Sequence, residues 1–227
     1  MSLLRSFLSI AMNARTVGAG DETVVLAQGY GGKQPAWDNI VARLAQNYKV
    51  VLVDWSLFGA MNLKSTVFIG HSMSGMIGCI ASIKRPELCR RLELVGASPR
   101  YINSSLDSNY LHCTSFMASF LIGADDPFAQ EKYQKSLLKM NPETAISVAE
   151  VFFLSDYRDI LEKAETPCTI IQTTTDPVVP GSVADFMQKK IKANRTVKII
   201  ETFGHMPHFI AHLQLPEILS RVLGFNL

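Results

Sequence analysis

Thr66-Val67-Phe68-Ile69-Gly70-His71-Ser72-Met73-Ser74-Gly75 is the stretch on which the fold turns. Its first four residues form an apolar, partly β-branched run that predicts a strand, and Met73–Lys84 predicts a helix. Between them, small residues stand two places before and two places after Ser72. That is the sharp strand-to-helix turn that pushes a serine hydroxyl clear of the backbone. Ser74 replaces the last glycine of the Gly-x-Ser-x-Gly pattern, so its side chain must clear the neighbouring strand. The plainer reading is a strand end followed by a helix cap. Partners for Ser72 elsewhere in the chain decide between the two.

Working outward, strand-like runs recur at Thr23–Ala27, Lys49–Asp54, Leu92–Val95, Cys168–Thr173 and Thr196–Glu201. Most are continuous Val/Ile/Leu runs, the mark of strands covered on both faces of a parallel sheet. Helical patterns lie between them, at Trp37–Leu44, Val183–Ile191 and Pro216–Leu223. The alternation predicts an α/β fold with a mostly parallel sheet. Residues 102–165 break the rhythm with consecutive helices over Asp126–Met140 and, after an Asn141-Pro142 cap, Thr144–Phe153, then a short helix over Tyr157–Ala164. They are expected to form a cap inserted into a core of residues 1–101 and 166–227. Its Phe116, Met117, Phe120, Phe128, Tyr133, Phe152 and Phe153 are helix packing in the main, with Phe116, Phe120 and Phe153 the candidate pocket residues.

Length and composition fit one domain, 227 residues with 48% apolar residues. Basic and acidic residues nearly balance, 22 to 20, with no basic block, which argues against nucleic acid and anionic membranes as partners. No apolar run approaches a membrane span. Ser2, Ser6 and Ser9 interrupt the apolar N-terminus, against a secretory signal. The 4 cysteines, Cys79, Cys89, Cys113 and Cys168, lack CxxC spacing and read as free buried thiols in a reducing compartment.

A serine hydroxyl attacks only if a base takes its proton, and in this architecture the order along the chain is Ser, Asp, His. Asp176 follows the Cys168–Thr173 run and His205 follows Thr196–Glu201, each just past a strand end, where sites on parallel sheets are built. Ser72, Asp176 and His205 are therefore the candidate catalytic triad. An oxyanion needs two fixed backbone donors. The amide after the nucleophile, Met73, is one, and Tyr30 in Gln28-Gly29-Tyr30-Gly31-Gly32 is the other. That loop lacks the GxGxxG or Lys-Ser/Thr of a phosphate cradle. His205, His208 and His212 are spaced like metal ligands, but Pro207 breaks the helix and no Cys or carboxylate joins them, so no metal is expected. His71 is expected to pack beneath the turn, and His112 is uninformative.

At this point the chain resembles the plant α/β-hydrolases related to the strigolactone and karrikin receptors, most of all the second dwarf-fourteen-like group. The resemblance rests on Gly70–Gly78, Arg85-Pro86-Glu87-Leu88, Gly96-Ala97-Ser98-Pro99-Arg100-Tyr101-Ile102-Asn103, Glu165-Thr166-Pro167-Cys168 and Gly204-His205-Met206-Pro207. It implies the α/β-hydrolase fold, a pocket under a helical lid, and hydrolysis of a butenolide-type enol ether or ester. It also implies a receptor role with F-box and repressor partners, no cofactor, and a cytoplasmic and nuclear location. Four features depart from the pattern: Gln28 where relatives carry His, a short Trp55–Ser65 connection, a cap shortened between Asn103 and Asn109, and Cys113 in place of a lid Trp. At about 1.5 Å per residue a helix across Trp55–Ser65 would span only about 16 Å, with nothing left for turns. That connection is expected to be extended, or a stub of helix at Met61–Lys64, leaving one sheet face partly bare. Such gaps read as internal deletions.

The reading is a serine hydrolase for a small apolar ester, lactone or butenolide-type ligand, with a hormone-receptor-like role. A ligand-binding receptor with little turnover and a truncated, non-catalytic interaction protein are the alternatives.

Overall fold

The structure, a computed structural model, describes residues 14–53, 63–101, 114–123 and 126–225, with the backbone alone at 114–117, 142 and 144. The N-terminal serines, most of the Trp55–Ser65 connection, the Asn103–Asn109 stretch, His112, Cys113 and the side chains of Phe116 and Met117 lie outside the described residues.

Seven strands form one sheet: β1 (Arg15–Val17), β2 (Thr23–Ala27), β3 (Lys49–Val53), β4 (Thr66–His71), β5 (Cys89–Val95), β6 (Cys168–Thr175) and β7 (Arg195–Phe203). Their order is β1-β3-β2-β4-β5-β6-β7, with β1 antiparallel to β3 and every other pairing parallel. β1 escapes a pattern reading because Arg15-Thr16-Val17 is short and half polar. The predicted strands are present, and four of them run a few residues longer.

The apolar runs are continuous because both faces are covered. On one face Val25, Phe68, Leu92, Leu94 and Ile170 pack with α2 (Met73–Lys84) and α6 (Gly181–Lys190). On the other, Val24, Leu26, Val67, Ile69 and Ile171 pack with α1 (Asp38–Leu44) and α8 (Gln214–Leu223). The expected bare face is not found: Val25, Val51 and Val53 are buried, and Ala14 and Leu63, from the chain just before β1 and β4, pack on the cluster that contains them. Leu63 and Lys64 are not helical.

The cap contains α3 (Thr114–Ile122), α4 (Pro127–Leu137) and α5 (Pro142–Phe153). Asp126 caps α4, accepting the Ala129 N–H at 2.8 Å, with Pro127 at the first helical position. The chain enters and leaves the cap at one place, where Arg100 bridges Asp156 and the Tyr157 N–H reaches the Pro99 carbonyl at 2.7 Å. The 3-10 helix Arg158–Lys163 then packs on α2 and α6. Of the stretch 102–165 expected to form the cap, this last helix is the part that packs on helices of the core.

Candidate active site

Ser72 sits at the turn between β4 and α2 with φ 52° and ψ −121°, a left-handed backbone that strains any residue but glycine. Close packing falls on the two glycines around it. A Cβ on Gly70 would come within 2.6 Å of the Ser74 carbonyl, and one on Gly75 within 2.6 Å of the Ala97 Cβ. Ser74 clears the strand because its hydroxyl donates to the Gln28 carbonyl, tying the elbow to the loop beside it.

The geometry joins the three residues named from sequence. Ser72 Oγ lies 2.9 Å from His205 Nε2, and His205 Nδ1 lies 2.8 Å from Asp176 Oδ2. With Nδ1–H donating to the carboxylate, Nε2 is free to accept the serine proton. Ser72 is 5% exposed and His205 2%. Asp176 is fixed on all sides: its Oδ1 accepts the Val178 and Val179 amides at 2.8 and 2.9 Å, and its Oδ2 accepts Gln172 Nε2 at 3.1 Å. Burial alone would raise the Asp176 pKa, but the electrostatic pull of His205, its hydrogen bond and the Val178 and Val179 amides outweigh it and hold the carboxyl below its ordinary value. The His205 backbone is pinned by its own N–H donating to the Leu121 carbonyl of α3 at 2.7 Å. The cap thus helps set the base.

Met73 opens α2, whose first amides have no partner within the helix. Tyr30 follows Gly29, where a Cβ would lie 2.9 Å from the Ser72 Cβ, so the glycine allows that loop to approach the nucleophile. α4 holds the loop from above: Tyr133 Oη donates to the Tyr30 carbonyl at 3.1 Å and Ser136 Oγ to the Gly31 carbonyl at 2.8 Å.

Tyr101 is a site residue that sequence reasoning quoted without giving it a role. Its hydroxyl accepts the Ser98 N–H at 2.9 Å and lies 3.4 Å from Ser72 Oγ. Burial pushes its pKa up, so it stays a neutral donor. Its ring meets Phe152 at 4.9 Å and Phe153 at 5.8 Å, and Phe153 also meets Tyr30 at 5.6 Å. Of the candidate pocket residues, Phe153 therefore stands in an aromatic wall beside the nucleophile. Phe120 is 36% exposed, on the side of α3 away from buried Ala118, Leu121 and Ile122. Phe116 is placed only by its backbone.

His71 packs beneath the elbow as expected and does more: its Nε2–H donates to the His205 carbonyl at 2.8 Å. Burial and the nearby His205 lower its pKa to about 3, which keeps it neutral. His208 is likewise held neutral by burial. Among the described residues no cluster of His, Cys, Asp and Glu has the makings of a metal site, and no helix is long and apolar enough to cross a membrane. Cys79, Cys89 and Cys168 are free and buried, and burial pushes the Cys89 and Cys168 thiols up to about 11 and about 12.

No family model matches the chain. It is 34% identical to strigolactone esterase D14 of Arabidopsis thaliana, over 94% of this chain and 96% of that one. It is 33% identical to karrikin insensitive 2 receptor CA of Petunia hybrida, over 94% of each. The first alignment spans 257 positions, more than the 227 residues of the chain, so gaps open within this sequence. Among solved structures, a hydrolase from Oleispira antarctica superposes with a TM-score of 0.88 over 98% of each chain at 23% identity. The enol-lactonase from Burkholderia xenovorans gives 0.80 at 14% identity, covering 94% of this chain and 97% of that one. At those identities the two structures speak to the fold alone, the α/β-hydrolase fold expected from the sequence.

Proposed function

The chain belongs to the plant family of strigolactone esterases and karrikin receptors, an α/β-hydrolase family, and from that premise we propose how its site works and what it acts on. The observation that carries the proposal is the continuous hydrogen-bond chain Ser72–His205–Asp176 at 2.9 and 2.8 Å, with its serine on a strained elbow. His205 Nε2 takes the Ser72 proton as Oγ attacks the carbonyl of a small apolar ester, lactone or butenolide-type ligand. The amides of Tyr30 and Met73 hold the oxyanion. His205 then hands the proton to the leaving oxygen, and water, deprotonated by the same imidazole, frees the acyl group.

Turnover of p-nitrophenyl acetate by wild type and Ser72→Ala tests this. The variant is expected to retain under a hundredth of the wild-type rate, and equal rates end the proposal. Mass mapping of a fluorophosphonate adduct is expected to place the label on Ser72.

The reading extends to a receptor role. The triad lies beneath cap helices that contact both the oxyanion loop and the His205 backbone, so a ligand at Ser72 touches what positions the lid. A cytoplasmic and nuclear location and recruitment of F-box and repressor partners complete the proposal. A ligand-induced melting shift that survives Ser72→Ala, alongside slow turnover, would favour the receptor with little turnover. Failure to pull down an F-box protein with ligand present would remove the partner assignment.

A further inference from the structure

The sheet face under α1 and α8 ends, at the edge where the site lies, in polar side chains, several of them with no protein partner. Alternation along β2 puts Val24 and Leu26 on that face and continues to Gln28. Along β4 it puts Val67 and Ile69 there and continues to His71. Trp37, on the same cluster, stacks on His208 at 4.6 Å, and the His208 ring lies 4.5 Å from that of His71, whose Nδ1 is 2.7 Å from where a Cβ on Gly29, next to Gln28, would sit. Gln28 is 1% exposed, and Trp37 and His208 are 0%. Both ends of the Gln28 amide, the Trp37 indole N–H and both His208 nitrogens are buried without a protein partner.

Buried polar atoms are almost always satisfied, and where the protein supplies no partner an enclosed water does. The inventory suits water. The Trp37 indole can only donate, Gln28 offers two donors and an acceptor, and neutral His208 offers one of each. No two of these groups bond each other, whereas a water accepts from one and donates to the next.

We propose that this enclosure behind the triad binds ordered water, which bridges Gln28 to the Trp37–His208 pair. Gln28 is then a positioning residue for the oxyanion loop. Its carbonyl receives the Ser74 hydroxyl, and the next two residues are Gly29, packed on His71 and Ser72, and Tyr30, the donor. His208 lies three residues past His205, in the short helix α7 (Pro207–Ile210), and the His205 carbonyl is held by His71. The water thus links the segment carrying the oxyanion donor to the segment carrying the base. The inference rests on the hydrolase reading of Ser72 for its kinetic consequence and stands apart from it for the water itself.

The test has a structural arm and a kinetic arm. A crystal structure of the wild-type protein at about 1.8 Å is expected to show water within hydrogen-bond reach of the Gln28 amide and Trp37 Nε1. An empty enclosure overturns the proposal, whatever Ser72 does. Gln28→Leu keeps the volume and removes the polar ends. It is expected to lower kcat for p-nitrophenyl acetate about tenfold, a fraction of what deleting an oxyanion donor costs, with KM unchanged, and Gln28→His is expected to restore most of the loss. A folded Gln28→Leu protein with wild-type kcat, or one whose only change is a lower melting temperature, overturns the positioning role. Should Gln28→Leu not fold, Trp37→Phe removes the indole N–H and keeps a smaller aromatic ring. A fall of about threefold in kcat with loss of the adjacent water is expected, and unchanged kcat with unchanged water refutes the link.

Discussion

Asp176→Asn tests the hydrogen-bond chain at the atom on which it depends. Asp176 Oδ1 accepts two backbone amides, Val178 and Val179, at 2.8 and 2.9 Å. An asparagine keeps both bonds only by placing its carbonyl there. Its NH2 then occupies the Oδ2 position, 2.8 Å from His205 Nδ1 and 3.1 Å from Gln172 Nε2. Facing an N–H donor, Nδ1 must become an acceptor, and the imidazole proton moves to Nε2. That nitrogen, 2.9 Å from Ser72 Oγ, no longer takes a proton. Flipping the amide restores the useful tautomer but sacrifices the two backbone bonds and leaves buried N–H groups unpaired, at about 1–3 kcal/mol each. Two such groups give about 2–6 kcal/mol, a loss in kcat centred on about 10³-fold. KM should hardly move, because Asp176 does not face the ligand. Steady-state hydrolysis of p-nitrophenyl acetate reads the effect, and the rate of fluorophosphonate labelling checks it independently of deacylation. A folded variant that keeps more than a tenth of wild-type kcat would refute the tautomer argument.

Three further outcomes follow from the coordinates. Glu93 is buried in β5 beside Arg91 at 2.6 Å, and burial raises its pKa from 4.5 to about 7, against the pull of Arg91 and Thr169. A raised carboxyl stabilises the fold below its unfolded pKa and loses that contribution as pH rises through 7, about 3 kcal/mol in all. Glu93→Gln should therefore gain stability in urea melts at pH 8.5 and little at pH 5, and parallel profiles for the two proteins would refute it. Tyr101→Phe leaves the Ser98 N–H unpaired and removes a hydroxyl from Ser72. It should cost about 1–3 kcal/mol in stability and lower kcat several-fold, and an unchanged kcat would deny Tyr101 any part in orienting the nucleophile. Ser72→Gly relieves the φ of 52°. It should raise the melting temperature by a few degrees, for about 1 kcal/mol of strain, while turnover disappears; a lower melting temperature would mean that no strain is held there.

What was legible in the sequence was what repeats or sits at a marked place. Val50, Val51, Leu52 and Val53 announce a buried strand because every face of it is apolar. Ser72, Asp176 and His205 were legible because each lies just past such a run. β1 has no run to show. Tyr101 is a single residue whose role depends on the chain turning back toward Ser72. Gln28 read as a departure from a pattern, and only the fold reveals that its side-chain amide is buried without a protein partner. In the cap, Phe120 and Phe153 look alike in sequence, and helix phase settles that one is on the exposed side of α3 while the other meets Tyr30 and Tyr101.

The link between β3 and β4, expected from the sequence to be short, bears on how the chemistry responds to a gap at that place. In the sheet order β1-β3-β2-β4-β5-β6-β7 that link crosses β2, on the half of the sheet away from the triad's carboxylate and base. Ser72 follows β4, Asp176 follows β6 and His205 follows β7, and these strands are joined through β5 by parallel pairing, with register shifts at Thr66/Val67 and Thr173/Thr175. Shortening the β3–β4 link changes what supports β2 and β3, and through β2 the oxyanion loop. It does not alter the spacing among the three triad residues. Damage from that gap should therefore surface in oxyanion stabilisation, and Tyr30 and Gln28, rather than His205, are where a catalytic defect would be found. Fluorophosphonate labelling and ester turnover separate the two cases: a chain with an intact triad and a displaced loop labels slowly at Ser72, and a chain with a broken triad does not label at all.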